Sequence, residues 1–127
     1  MSGIIANESN VRFDYHTGGG KLSPIDVDVS SDELWRLMQV RLHLSAACFW
    51  VEDFTATIDS ITAPVHDTVL MRVPMLGRSD VVFLFGDGSD GQILHEDDIV
   101  TFAYPNSSWQ TWGLEITWRS VGKGAAA

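Results

Sequence analysis

Between Thr111 and Arg119 the apolar residues fall at every second position. Trp112, Leu114, Ile116 and Trp118 alternate with Gly113, Glu115, Thr117 and Arg119. Side chains of a β-strand point alternately to its two faces, so this spacing describes a strand with one face in a core and the other in water. A stripe of two tryptophans and two aliphatic residues needs an opposing apolar layer to cover it, and a chain that carries such a stripe is constrained to a layered β fold.

The same period recurs along the chain. Val11, Phe13 and Tyr15 alternate with Arg12, Asp14 and His16, and Ile25, Val27 and Val29 alternate with Asp26 and Asp28. The purely acidic second face of the latter marks an exposed or edge strand. Ser30 and Glu33 match a capping box, which allows one helical turn at most. From Arg36 to Ala46 the pattern again reads as a strand, with Met38, Val40, Leu42, Leu44 and Ala46 facing inward and Gln39, Arg41, His43 and Ser45 outward. Phe54, Ala56 and Ile58 define a fourth strand, and Val69, Met71 and Val73 a fifth that Pro74 ends or marks as an edge. Val81 to Phe85 is apolar on both faces and is predicted to lie mid-sheet, covered on both sides. Ile99 to Tyr104 and Thr111 to Trp118 complete the set. The turn Pro105-Asn106-Ser107-Ser108 between them predicts a C-terminal hairpin.

About seven or eight short strands and almost no helix predict an all-β, single-domain antiparallel β-sandwich or jelly roll. Residues 1–10 form an N-terminal arm, 11–121 the sandwich and 122–127 a C-terminal tail. A chain of 127 residues suits one domain. Seventeen acidic residues against eight basic ones give a net charge of −9, which repels phosphate backbones and argues against a nucleic-acid partner. The lone Cys48 excludes an internal disulfide and is expected to be a small buried hydrophobe. The first twenty residues contain no basic segment followed by a long apolar one, and no apolar run approaches a membrane span of about 20 residues. A membrane partner is therefore not expected, and the protein is placed in a cytoplasm before any assembly.

Chemistry is sparsely indicated. His16, His43, His66 and His95 never form His-x-His, so a cupin-type metal site lacks its spacing. The acidic turn around Asp87 and Asp90 lacks the register and terminal bidentate glutamate of a calcium loop. No Gly-x-Ser-x-Gly elbow is present, and Gly18 to Gly20 leads into Lys21-Leu22-Ser23-Pro24 rather than a helix, so it reads as a flexible connector. The expectation is no catalytic residue, no metal and no cofactor. Trp50 and Trp109 fall in turns, where an indole anchors a subunit contact or stacks on a sugar, and subunit contact is favoured. Ile4 and Ile5 in the arm are further candidate contacts.

The order Asp97-Asp98-Ile99-Val100-Thr101-Phe102-Ala103-Tyr104-Pro105-Asn106, followed by Trp112-Gly113-Leu114-Glu115, resembles small structural proteins of tailed bacteriophages. The likeness covers about the last quarter of the chain. It implies a non-enzymatic virion component, foremost a head cement or decoration protein. Such a protein works as a homo-oligomer, for example a trimer, against the major capsid or a tail protein. The alternative from another class is a carbohydrate-binding or host-recognition module on the same sandwich.

Overall fold

The computed structural model describes residues 11–21, 23–30, 34–59, 68–85, 92–94 and 98–120. The N-terminal arm with Ile4 and Ile5, the C-terminal tail, the acidic turn at 86–91, His66 and His95 lie outside them. The described strands are β1 (Val11–Gly18), β2 (Ile25–Ser30), β3 (Trp35–Leu44), β4 (Asp53–Asp59), β5 (Thr68–Pro74), β6 (Asp80–Leu84), β7 (Gln92–Leu94), β8 (Ile99–Tyr104) and β9 (Trp112–Ser120). No helix occurs among the described residues. One sheet has the order β1-β9-β3-β6, with the short β7 also on β3, and the other has the order β2-β8-β4-β5. All strand pairs are antiparallel. The eight longer strands thus fill two four-strand sheets in jelly-roll order.

The inner faces meet in one core. Val40, Leu42, Leu44, Leu114, Ile116 and Trp118 from the first sheet pack with Ile25, Phe54, Ala56, Met71, Phe102 and Tyr104 from the second. The alternation that predicted Trp112, Leu114, Ile116 and Trp118 as a buried stripe is matched residue for residue.

Several sequence expectations change. The predicted hairpin does not form, because β8 lies between β2 and β4 while β9 lies between β1 and β3. The Pro105–Thr111 segment is a crossover between sheets, which gives each of these apolar strands a central position. β6 is not covered on both sides, since it closes one edge of its sheet and exposes Val82 and Leu84. In β3 a bulge between Leu37 and Gln39 interrupts the alternation, so that Leu37 rather than Met38 is fully buried. A second bulge, between Ala56 and Thr57 opposite β5, leaves Val69 exposed while Met71 and Val73 stay inside.

Strand β1 is reversed relative to its pattern. Arg12, Asp14 and His16 pair with Trp118, Ile116 and Leu114 and therefore share their inward face, whereas Phe13 and Tyr15 point outward. The Trp118 indole explains this orientation. Its N–H is buried and needs an acceptor, which Asp14 Oδ2 supplies at 2.8 Å. Arg12 Nε holds the Asp14 carboxylate at 3.1 Å, and its guanidinium sits 5.9 Å from the centroid of the Trp35 ring. Polar residues are tolerated on this inner face because β1 is an edge strand.

The glycine run begins inside a strand rather than in the connector. Gly18 belongs to β1, and a Cβ there would lie 2.6 Å from the Trp112 ring. Gly20 turns the chain at φ 83°. Two substitutions test these packing arguments by chemical denaturation. Asp14→Ala strands the indole N–H and should cost about 1–3 kcal/mol. Gly18→Ala forces the Trp112 ring aside and should cost about 1–3 kcal/mol.

Candidate functional site

Four connections between the sheets gather at one end of the sandwich: 19–24 after β1, 45–52 after β3, 75–79 after β5 and 105–111 after β8. They are tied to one another by hydrogen bonds rather than by a second core. Leu44 N donates to Ser79 O and Ser45 N to Thr111 O. Cys48 N donates to Arg78 O at 3.0 Å and Gly77 N to Cys48 O at 2.8 Å, beside a short parallel bridge between Cys48 and Leu76. Met75 N reaches Glu52 O, which fixes the far side of the 45–52 loop.

Asn106 organises the crossover from β8 to β9. It is buried and adopts φ 53°, a left-handed conformation that asparagine tolerates better than most residues. Its amide nitrogen donates to Ser23 O and Gln110 O, and its side-chain oxygen accepts from Gln110 N. The Trp112 indole donates to the same Ser23 carbonyl at 3.0 Å. The β1–β2 and β8–β9 connections are thereby joined at Ser23.

Glu52 links the crossover to the 45–52 loop. Its carboxylate accepts from Ser107 N at 3.1 Å and from Ser107 Oγ at 2.6 Å. Burial acts to raise its pKa, but the hydrogen bonds, those from Ser107 foremost, outweigh burial and hold the carboxyl below its ordinary value. Cys48 is buried as expected, with Sγ 3.7 Å from Glu52 Oε1 and 3.3 Å from Trp50 O. The neighbouring Tyr104 hydroxyl is buried without a well-formed hydrogen bond, and burial pushes its pKa upward.

This framework carries an apolar tip. Phe49, Trp50 and Val51 are 79%, 56% and 89% exposed, and Leu76 beside Cys48 is exposed as well. Trp109 is exposed and adopts φ 57°, with Lys21 Nζ 5.6 Å from its ring centroid. A bulky residue in the left-handed region is strained by about 1–2 kcal/mol, and such strain concentrates at functional positions. Trp50 and Trp109, the two turn tryptophans singled out in the sequence, thus reside on loops joined by the Glu52–Ser107 contact. Sequence reading missed Phe49, Val51 and Leu76, because an apolar run between strands looks the same whether it is buried or displayed.

The outer face of the β1-β9-β3-β6 sheet carries a second feature, a depression of about 300 Å³ bordered by Tyr15, Arg41, His43, Asp80, Val82 and Glu115. His43 lies on the outward face, as its strand pattern predicts, and its Nδ1 is 2.5 Å from Asp80 Oδ1. The hydrogen bond from His43 lowers the Asp80 pKa. No group of three or more His, Cys, Asp or Glu side chains is arranged to hold a metal among the described residues. No protein-family model matches the chain, and comparison with curated proteins finds no matching relative.

Because the folded Glu52 carboxyl has a lowered pKa, its contribution is present above the ordinary value of 4.5 and is lost as pH falls through the folded value. Acid should therefore loosen the loop end, visible as a change in Trp50 and Trp109 fluorescence. Glu52→Gln should abolish that pH-dependent step. Trp109→Gly should leave the melting temperature unchanged or raise it, whereas Asn106→Ala, which removes three hydrogen bonds at a strained position, should cost about 3 kcal/mol by thermal unfolding.

Proposed function

We propose that this chain is a non-enzymatic structural protein of a tailed-bacteriophage particle, a head cement or decoration protein that works as a homo-oligomer. The single observation carrying this reading is the rigid loop end that displays Phe49, Trp50 and Val51 to solvent. Their backbone is pinned by hydrogen bonds on both sides, from Cys48 to Arg78 and from Met75 to Glu52. Exposing three consecutive large apolar side chains on a fixed scaffold disfavours an isolated monomer, and grouped apolar exposure marks a surface that another protein covers. Tryptophan on a preorganised loop suits an interface anchor, because few rotamers are lost on binding.

The particle assignment rests on the resemblance of the Asp97–Asn106 and Trp112–Glu115 segments to small phage structural proteins. A jelly roll with stitched loops provides the stiffness that bridging two capsomers requires. The acidic surface, at −9 net charge, disfavours contact with the packaged genome and leaves protein as the partner. The major capsid protein or a tail protein is the partner of this reading, and the N-terminal arm with Ile4 and Ile5 adds contacts to neighbours.

Light scattering across a concentration series tests the oligomer, and electron microscopy of particles tests its place. The purified chain should assemble, and Trp50→Ser should weaken assembly at least about thirtyfold, the effect of losing an interface anchor. Its far-ultraviolet circular dichroism should be unchanged. A chain that stays monomeric at high concentration and is absent from particles would sink the reading.

A further inference from the structure

Gly113 is the second residue of β9, a strand paired on both sides, and glycine within a strand weakens a sheet. None of the usual reasons for it applies. Its φ lies outside the left-handed range, the register of β9 with β1 and β3 runs without a shift through it, and a Cβ built there meets no atom within 4 Å. What its missing side chain does is open the floor of the depression on the outer sheet face. Two rows of residues cross the four strands there: Thr17, Gly113, His43 and Asp80 in one, and Tyr15, Glu115, Arg41 and Val82 in the next.

We infer that this depression is a binding site for a neutral saccharide, independent of the contact role proposed for the loop end. The chemistry of its border selects that class. Tyr15, 68% exposed, and Val82 give apolar walls for the C–H faces of a sugar ring. Arg41, Glu115 and the His43–Asp80 pair set donors and acceptors around the floor, at the level where ring hydroxyls project. A volume of about 300 Å³ is at the small end of ligand sites and suits a ligand of one or two rings.

Other ligands fit less well. Asp80, Glu115 and the net charge of −9 repel phosphorylated or acidic compounds. A purely apolar ligand would strip water from Arg41 and Glu115 without replacing their hydrogen bonds. An extended peptide adds to a sheet at its edge, whereas β9 and β3 are paired on both sides beneath this face. The aromatic contact for sugar is thereby Tyr15 on the sheet face and not Trp109 at the corner.

A glycan array, followed by NMR titration with the neutral mono- and disaccharides that score, tests the site. At least one saccharide should bind and shift the backbone signals of Gly113 and its cross-strand neighbours. Tyr15→Ala should weaken binding about tenfold. Gly113→Val has room in the fold and suits a strand, so it should keep or raise the melting temperature while abolishing binding. Should that variant fail to fold, Arg41→Ala reads the same loss. Trp50→Ser and Trp109→Ser should leave saccharide binding intact, which separates this site from the oligomer contact. The inference is overturned if no neutral saccharide binds, if folded Gly113→Val or Arg41→Ala binds normally, or if the Tyr15 and Val82 signals shift with protein concentration instead, which would assign the face to a second copy.

Discussion

The fold depends on how its sheet-crossing connections are held, and the Ser23 carbonyl is where that is done. It accepts from the Asn106 amide and from the Trp112 indole, so that the first and last crossovers of the jelly roll share one acceptor. Neither crossover has an apolar core of its own. Their geometry is set by hydrogen-bonded polar groups in partly buried positions, where an unmade hydrogen bond is costly. Glu52 extends the same principle to the third connection through Ser107, and the Cys48–Arg78 and Gly77–Cys48 bonds extend it to the fourth. The outcome is a stiff end on which apolar side chains can be displayed without collapsing inward.

A second polar demand shapes the β1-β9-β3-β6 sheet. Burying Trp118 requires an acceptor for its N–H, and Asp14 meets that need only if β1 turns its charged face inward. Phe13 and Tyr15 are consequently placed on the outer sheet face, across from Val82 and Leu84 on β6. One hydrogen bond at an edge strand thus determines which side chains border the depression above Gly113. The two surfaces arise separately, one from loop stitching and one from strand orientation.

Much of the architecture was legible in the chain. The strands predicted at Ile25, Phe54, Ile99 and Trp112 coincide with β2, β4, β8 and β9, and in β2, β4 and β9 the residues that the alternation names face inward. Expectations failed where alternation ceases to carry information. A bulge at Leu37 shifts the period by one residue, and a strand apolar on both faces, such as β6, reads the same at an edge as at a centre. At the candidate sites, Trp50 and Trp109 were visible as turn aromatics. Gly113 was not, because its role emerges only from neighbours in β1, β3 and β6 that are distant in sequence.

The sequence by itself determined the class of fold, because side-chain alternation is a local property of an extended backbone and survives without knowledge of its partners. It determined equally that Trp112, Leu114, Ile116 and Trp118 face a core. Only the tertiary structure decided that β8 and β9 part company into different sheets, that β1 presents its aromatics to solvent and that Gly113 floors an open depression. Each of these depends on hydrogen-bond partners and strand neighbours supplied from far along the chain, as Ser23 is for Trp112 and Asp14 for Trp118.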